Sequence, residues 1–99
     1  MESILNLNIF VQMSVRIIKQ QATIIGPVAW HEAGKVPGLR IINPKTEEIT
    51  LEGDEKEIIN KLVARYSRLF GKASDELCKE SVRDLLTELA PGQIPQSLQ

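Results

Sequence analysis

The sequence predicts an α+β fold: a predominantly helical small domain with a long N-terminal helix, a short helix, a central β-hairpin and two C-terminal helices. Three observations carry this expectation. Residues 3–25 contain neither proline nor glycine, two short apolar segments flank Asn43-Pro44-Lys45-Thr46, and the C-terminal half places apolar residues at helical spacing behind an acidic cap. A chain of 99 residues is one domain by length, read as residues 1–90 with a C-terminal tail over 91–99.

The first element is the least ordinary. Residues 3–15, SILNLNIFVQMSV, carry no charge, and Gln12, Arg16, Lys19, Gln20 and Thr23 make only a narrow polar stripe further along. Ile4, Leu7, Val11 and Ile18 follow a heptad-like track, with Phe10, Ile17 and Ile24 beside it. A segment with almost no wet face needs a covering surface, and in so small a chain a second copy is the expected supplier. Ile4, Leu7, Phe10, Val11, Val15, Ile18 and Trp30 are therefore the expected interface residues. Asn6 and Asn8 break the apolar run; they either meet partners across that interface or mark frayed first turns.

Gly26-Pro27 reads as the end of one helix and the first turn of the next, which runs over Val28 to Lys35. Val36-Pro37-Gly38 turns the chain into the hairpin, whose strands are LRII and EITLEG. A lone hairpin is marginal in water, so it must pack on the helices or pair with a second sheet. Asp54-Glu55-Lys56-Glu57 has the form of a capping box ahead of Ile58, Ile59, Leu62, Tyr66, Leu69 and Phe70, giving a third helix that ends near Gly71. Ser74, Asp75 and Glu76 open a last helix with Leu77, Cys78, Val82, Leu85, Leu86 and Leu89 inward, and Pro91-Gly92 stops it. The tail QIPQSLQ is loose unless Ile94 and Leu98 find a groove. Ile24-Ile25-Gly26 echoes Leu69-Phe70-Gly71, with a small residue seven after each glycine. Two helical corners of shared geometry account for the echo, as does chance.

Twelve basic residues against thirteen acidic ones give a net charge of -1, so no global field gathers nucleic acid and any anion site must be local. The single cysteine, Cys78, rules out an intrachain disulfide and makes a reducing, cytoplasmic setting the expectation. No signal peptide is legible, and Arg16, Lys19 and three glutamines interrupt the longest apolar stretch before it reaches the ~20 residues of a membrane span.

Candidate chemistry is sparse. His31-Glu32 joins a base to a carboxylate, but adjacent helical residues point about 100° apart and lack the four-residue spacing of a HExxH zinc site. Cys78 falls in an apolar stripe, where a thiol acts as a small hydrophobe. Lys61, Arg65, Arg68 and Lys72 line one side of the third major helix and form the candidate anion-binding or nucleic-acid stripe, unless Glu57 pairs with Lys61. Glu47, Glu48, Glu52, Asp54, Glu55 and Glu57 make an acidic rim that can complement a basic helix across a two-fold axis. The glycines form no phosphate-cradling motif, and no cofactor or metal is implied. The reading that joins these points is a non-enzymatic homodimeric regulatory or adaptor domain acting through protein–protein contacts. The alternatives are a nucleic-acid or anion binder using the basic stripe, and a small enzyme using His31 or Cys78 at a subunit interface.

Overall fold

The structure is a computed structural model and describes residues 8–99. Helix α1 spans Ile9–Ile25, α2 Val28–Ala33, strand β1 Leu39–Asn43, β2 Glu48–Leu51, α3 Glu55–Phe70 and α4 Lys72–Leu86; two 3-10 turns, Pro91–Gln93 and Gln96–Leu98, close the chain. This is the expected small α+β domain with its long first helix, short helix, central hairpin and two C-terminal helices.

Asn8 decides where α1 begins. Its side-chain oxygen accepts the Phe10 N–H at 2.7 Å, satisfying one of the amides a helix start leaves open, while its amide nitrogen donates to Glu55 at the start of α3. The helix expected from Ser3 thus has a capped start at Ile9; Ile4, Leu7 and Asn6 lie outside the described residues. Within α1, Met13, Ser14, Ile17, Ile18 and Gln21 are buried, and the helix packs on α4, α2, α3 and β2. Each fully covered isoleucine is worth about 1.5–3 kcal/mol in transfer free energy. The requirement for a second chain to cover this helix therefore narrows: its own domain takes the inner face, and Ile18, expected at an interface, is part of the core with no exposed surface. Val11 and Ile18 share one track of the helix, so the difference lies along the axis: Ile18, two turns further on, joins the core cluster, while Val11 lies where the hairpin leaves a groove.

The two corners share one geometry. Gly26 (φ +78°, ψ -160°) and Gly71 (φ +88°, ψ -177°) adopt backbone conformations that disfavour a side chain. Their N–H groups donate to Ala22 O at 2.9 Å and Ser67 O at 2.8 Å, and their carbonyls accept from Ala29 and Ser74, each at 3.0 Å. Ala29 and Ser74 are buried at the third position after glycine, as are Ala33 and Cys78 at the seventh. The sequence echo thus corresponds to repeated corner geometry. The last helix consequently starts at Lys72 rather than being capped by Ser74, whose N–H is already held by Gly71. It ends at Leu86, short of Pro91-Gly92, and Thr87 turns its hydroxyl back to Asp84 O at 2.8 Å.

β1 and β2 pair antiparallel, Leu39 with Leu51, Arg40 with Thr50 and Ile41 with Ile49, and a bulge between Ile41 and Asn43 leaves Ile42 outside the register. Leu39 and Ile49 are buried, with Ile41 and Leu51 packed against the core beside them. Asp54 caps α3 by accepting from Lys56 and Glu57 N–H at 3.1 and 3.3 Å. One turn from its end, Tyr66 donates its hydroxyl to Ala29 O at 2.6 Å, tying α3 to α2 through the core. No helix among the described residues is long and apolar enough to cross a membrane.

Residues 91–99 lie along α3. Leu98 is 3% exposed, Pro95 is buried, and Ser97 donates both its N–H (2.9 Å) and its hydroxyl (2.7 Å) to Asn60 Oδ1. Leu98 is the residue that finds a groove, while Ile94 stays half-buried. Leu98→Ala is expected to destabilise the domain by about 2–4 kcal/mol, the range for truncating a buried leucine. Urea unfolding checks this; an unchanged midpoint means that the tail contributes nothing to the core.

Candidate interaction surface

Val11 and Val15 stand one turn apart on the side of α1 that its own domain leaves half open, and the hairpin overhangs them. Between them runs a groove of about 610 Å³. Its apolar surface comes from Val11, Val15 and Ile42, with Ile49 beneath; Ile42 is 58% exposed because strand alternation, with Leu39 and Ile41 inward, places it on the outer face beside Arg40. The walls differ in sign. Arg16 and Lys19 lie on the helix side, Glu47 and Glu48 on the hairpin side, and Lys19 Nζ reaches Glu47 across the groove at 3.4 Å. Glu47 sits at the tight end of the hairpin with φ +61°. Arg16 also bonds Asp84 on α4, and that contact holds the Asp84 carboxyl below its ordinary range.

Trp30 belongs to a second groove, of about 540 Å³, between α2 and the other side of the hairpin; Pro27, His31, Ile41 and Pro44 share it. The ring is half-buried against the core and has an apolar edge available. Phe10 is likewise packed against the core and only partly open. Of the seven expected interface residues, Val11 and Val15 share the α1–hairpin groove, Trp30 lines its neighbour, Phe10 is largely internal and Ile18 wholly so. Ile4 and Leu7 fall outside the described residues.

The basic stripe is divided. Lys61, Arg65 and Arg68 do lie along one side of α3, in a cleft completed by Lys35. Lys72 does not join them: Gly71 breaks the helix, so Lys72 opens α4 after the corner and the regular 3.6-residue spacing is interrupted before it. Glu57 forms no ion pair with Lys61 among the described residues. Instead Glu32, the neighbour of His31, receives Arg65 Nε and Nη2 on one oxygen, both at 2.8 Å, and this holds its carboxyl below the usual carboxylate range. Two features escaped the sequence reading. Ile42 was signalled by two adjacent isoleucines where strand alternation calls for one, whereas Lys35 carries no periodic relation to α3.

His31 and Cys78 do not meet. His31 is exposed on α2, while Cys78 is fully buried on α4 beneath Gln21, whose amide nitrogen lies 3.6 Å from Sγ and 3.3 Å from Ser74 O. Gln21, one of the glutamines that interrupt the apolar stretch, is buried, and these bonds compensate its amide. Among the described residues no three histidine, cysteine, aspartate or glutamate side chains are grouped as a metal site. Among the described residues His31 and Cys78 are therefore not paired as base and nucleophile.

Comparison with protein-family models, curated proteins and solved structures gives no match.

Burial pushes the Cys78 thiol from its ordinary 9.0 up to about 11, against the opposing bond from Gln21, and burial raises the Tyr66 phenol as well. Folded protein therefore holds the thiol proton more tightly than the unfolded chain does. The stabilisation is complete below pH 9 and is lost as pH climbs through 9 towards 11. At about 1.4 kcal/mol per pKa unit the thiol alone removes on the order of 2–3 kcal/mol across that window. Denaturant unfolding from pH 8 to 11 should show this fall, and Cys78→Ala should flatten part of it. A thiol reagent should label native Cys78 far more slowly than unfolded chain; equal rates would show that the site is open.

Proposed function

We propose that this protein is a non-enzymatic interaction domain, regulatory or adaptor in role, that forms a homodimer through the groove between α1 and the hairpin. One observation carries the reading: an uncharged strip, Val11–Val15–Ile42, remains at the surface between walls of opposite sign. A two-fold axis pairs each surface with its copy, so the interface must be self-complementary. The Arg16/Lys19 wall of one protomer can then face the Glu47/Glu48 wall of the other, with the valines and Ile42 removed from water between them. In the sequence, Ile4 and Leu7 belong to the same heptad-like track as Val11. The single cysteine, Cys78, buried and without a second thiol to bridge, accords with a cytoplasmic setting.

Val11 and Ile42 lie on opposite sides of the groove, so Val11→Glu and Ile42→Glu test it from both walls. Sedimentation equilibrium at micromolar concentration should show a dimer for the native chain and at least about tenfold weaker association for either variant, with unchanged far-UV circular dichroism. A native chain that stays monomeric, or a dimer indifferent to both substitutions, overturns the proposal.

A further inference from the structure

The cleft between the C-terminal end of α2 and the middle of α3 holds four cations. Lys35 approaches from the turn after α2, and Lys61, Arg65 and Arg68 follow at four- and three-residue spacing along α3, over a floor that includes Val36 and Ala64. These positions bring side chains from two separate elements to one concavity of about 220 Å³. Among the described residues no acidic side chain lines it.

Only part of this charge is answered within the protein. Glu32, its side chain 13% exposed, takes two bonds from Arg65 and a longer contact from Lys35 Nζ at 3.5 Å. Lys61 and Arg68 form no ion pair among the described residues. Arg65 is held rigidly by Glu32 through Nε and Nη2, which leaves its Nη1 edge without a hydrogen-bond partner among the described residues. Like charges one helical turn apart repel, so the row Lys61–Arg65–Arg68 is relieved by an anion placed among them. Positioning one guanidinium beforehand also lowers the ordering cost of binding.

We propose that this cleft binds a small polyvalent phosphate anion, of the size of a phosphate group or a diphosphate, through Lys35, Lys61, Arg65 and Arg68. Guanidinium and ammonium donors converging from two sides match the several acceptor oxygens of such a group. Nucleic acid is the poorer fit. Duplex recognition spreads phosphate contacts along an extended positive face, whereas here the cations converge on one pocket, Lys72 lies beyond the corner, and the whole chain is net negative. This proposal is independent of the proposed dimer, which uses the groove between α1 and the hairpin.

The test is a ¹H–¹⁵N titration of the full chain with pyrophosphate, repeated with inorganic phosphate and with a duplex oligonucleotide. Pyrophosphate should shift the backbone amides of Lys35, Lys61, Arg65 and Arg68 saturably, and should bind more tightly than inorganic phosphate. Lys61→Gln combined with Arg68→Gln should weaken binding by about tenfold or more, since both side chains contribute charge-assisted bonds. Both residues are exposed and form no ion pair among the described residues, and the variant's own spectrum confirms its fold. Lys72→Gln should leave the affinity unchanged. Shifts scattered over Lys45, Lys72 and the cleft alike, an affinity indifferent to the double substitution, or no saturable shift would each overturn the proposal. Tighter binding of the duplex than of pyrophosphate at equal phosphate concentration would overturn the small-anion class.

Discussion

The inner face of α1 is the constraint from which the rest of the molecule follows. Met13, Ile17 and Ile18 have no exposed surface, and every other helix of the described chain, with β2, packs against some part of this rod. In a domain this small no second layer exists to share the task, so α3 and α4 must run beside α1 and the hairpin must fold back over its first turns. Burying Gln21 on the same face is tolerated because its amide is used, joining α1 to Ser74 O and to the Cys78 thiol of α4. Among the apolar residues that α1 leaves open to the solvent are Ile24 near its end and, at the edge the hairpin overhangs without covering, the half-buried Val11 and Val15.

That arrangement also sorts the charges. Arg16 and Lys19 sit on the outer side of α1 and find Asp84 and Glu47, exposed pairs that contribute little stability but fix the sign of each groove wall. Glu32 and Arg65 form the less exposed pair, joining α2 to α3 near the bond from Tyr66 to Ala29 O. Because α2 is only six residues long, these two contacts do much to hold it in place. Among the described residues Lys61 and Arg68 form no ion pair, so the local charge of the α2–α3 cleft is set by which cations the fold leaves unanswered rather than by the balance of the whole chain.

Much of the architecture was legible because its signals are local. Asp54 ahead of Ile58 and Ile59 marked the start of α3, Gly26 and Gly71 marked the corners, and the turn residues at 43–46 marked the hairpin; each depends on contacts within a few residues. The echo of Ile24-Ile25-Gly26 in Leu69-Phe70-Gly71 reflected true backbone similarity, since positions three and seven after each glycine are buried alike. Errors arose where local alternatives compete. Ser74 has the chemistry of a cap, yet Gly71 already terminates one helix and starts the next, leaving Ser74 inside the first turn. Asn8, read as a possible fray, proved to be the cap itself.

From the residues alone came the helical periods, the corners, the hairpin, and an opening segment too apolar to face water on all sides. Tertiary packing alone decided what α1 packs against from Ile9 onward, that Ile18 goes inside while Val11 and Val15 stay at an edge, that Leu98 docks beside α3, and that Glu32 answers Arg65 from 33 residues away. The division has one cause. Periodicity reports how side chains are arranged around their own helix axis, but burial and charge pairing depend on what stands opposite, and residues distant in sequence are brought there only when the chain closes on its core.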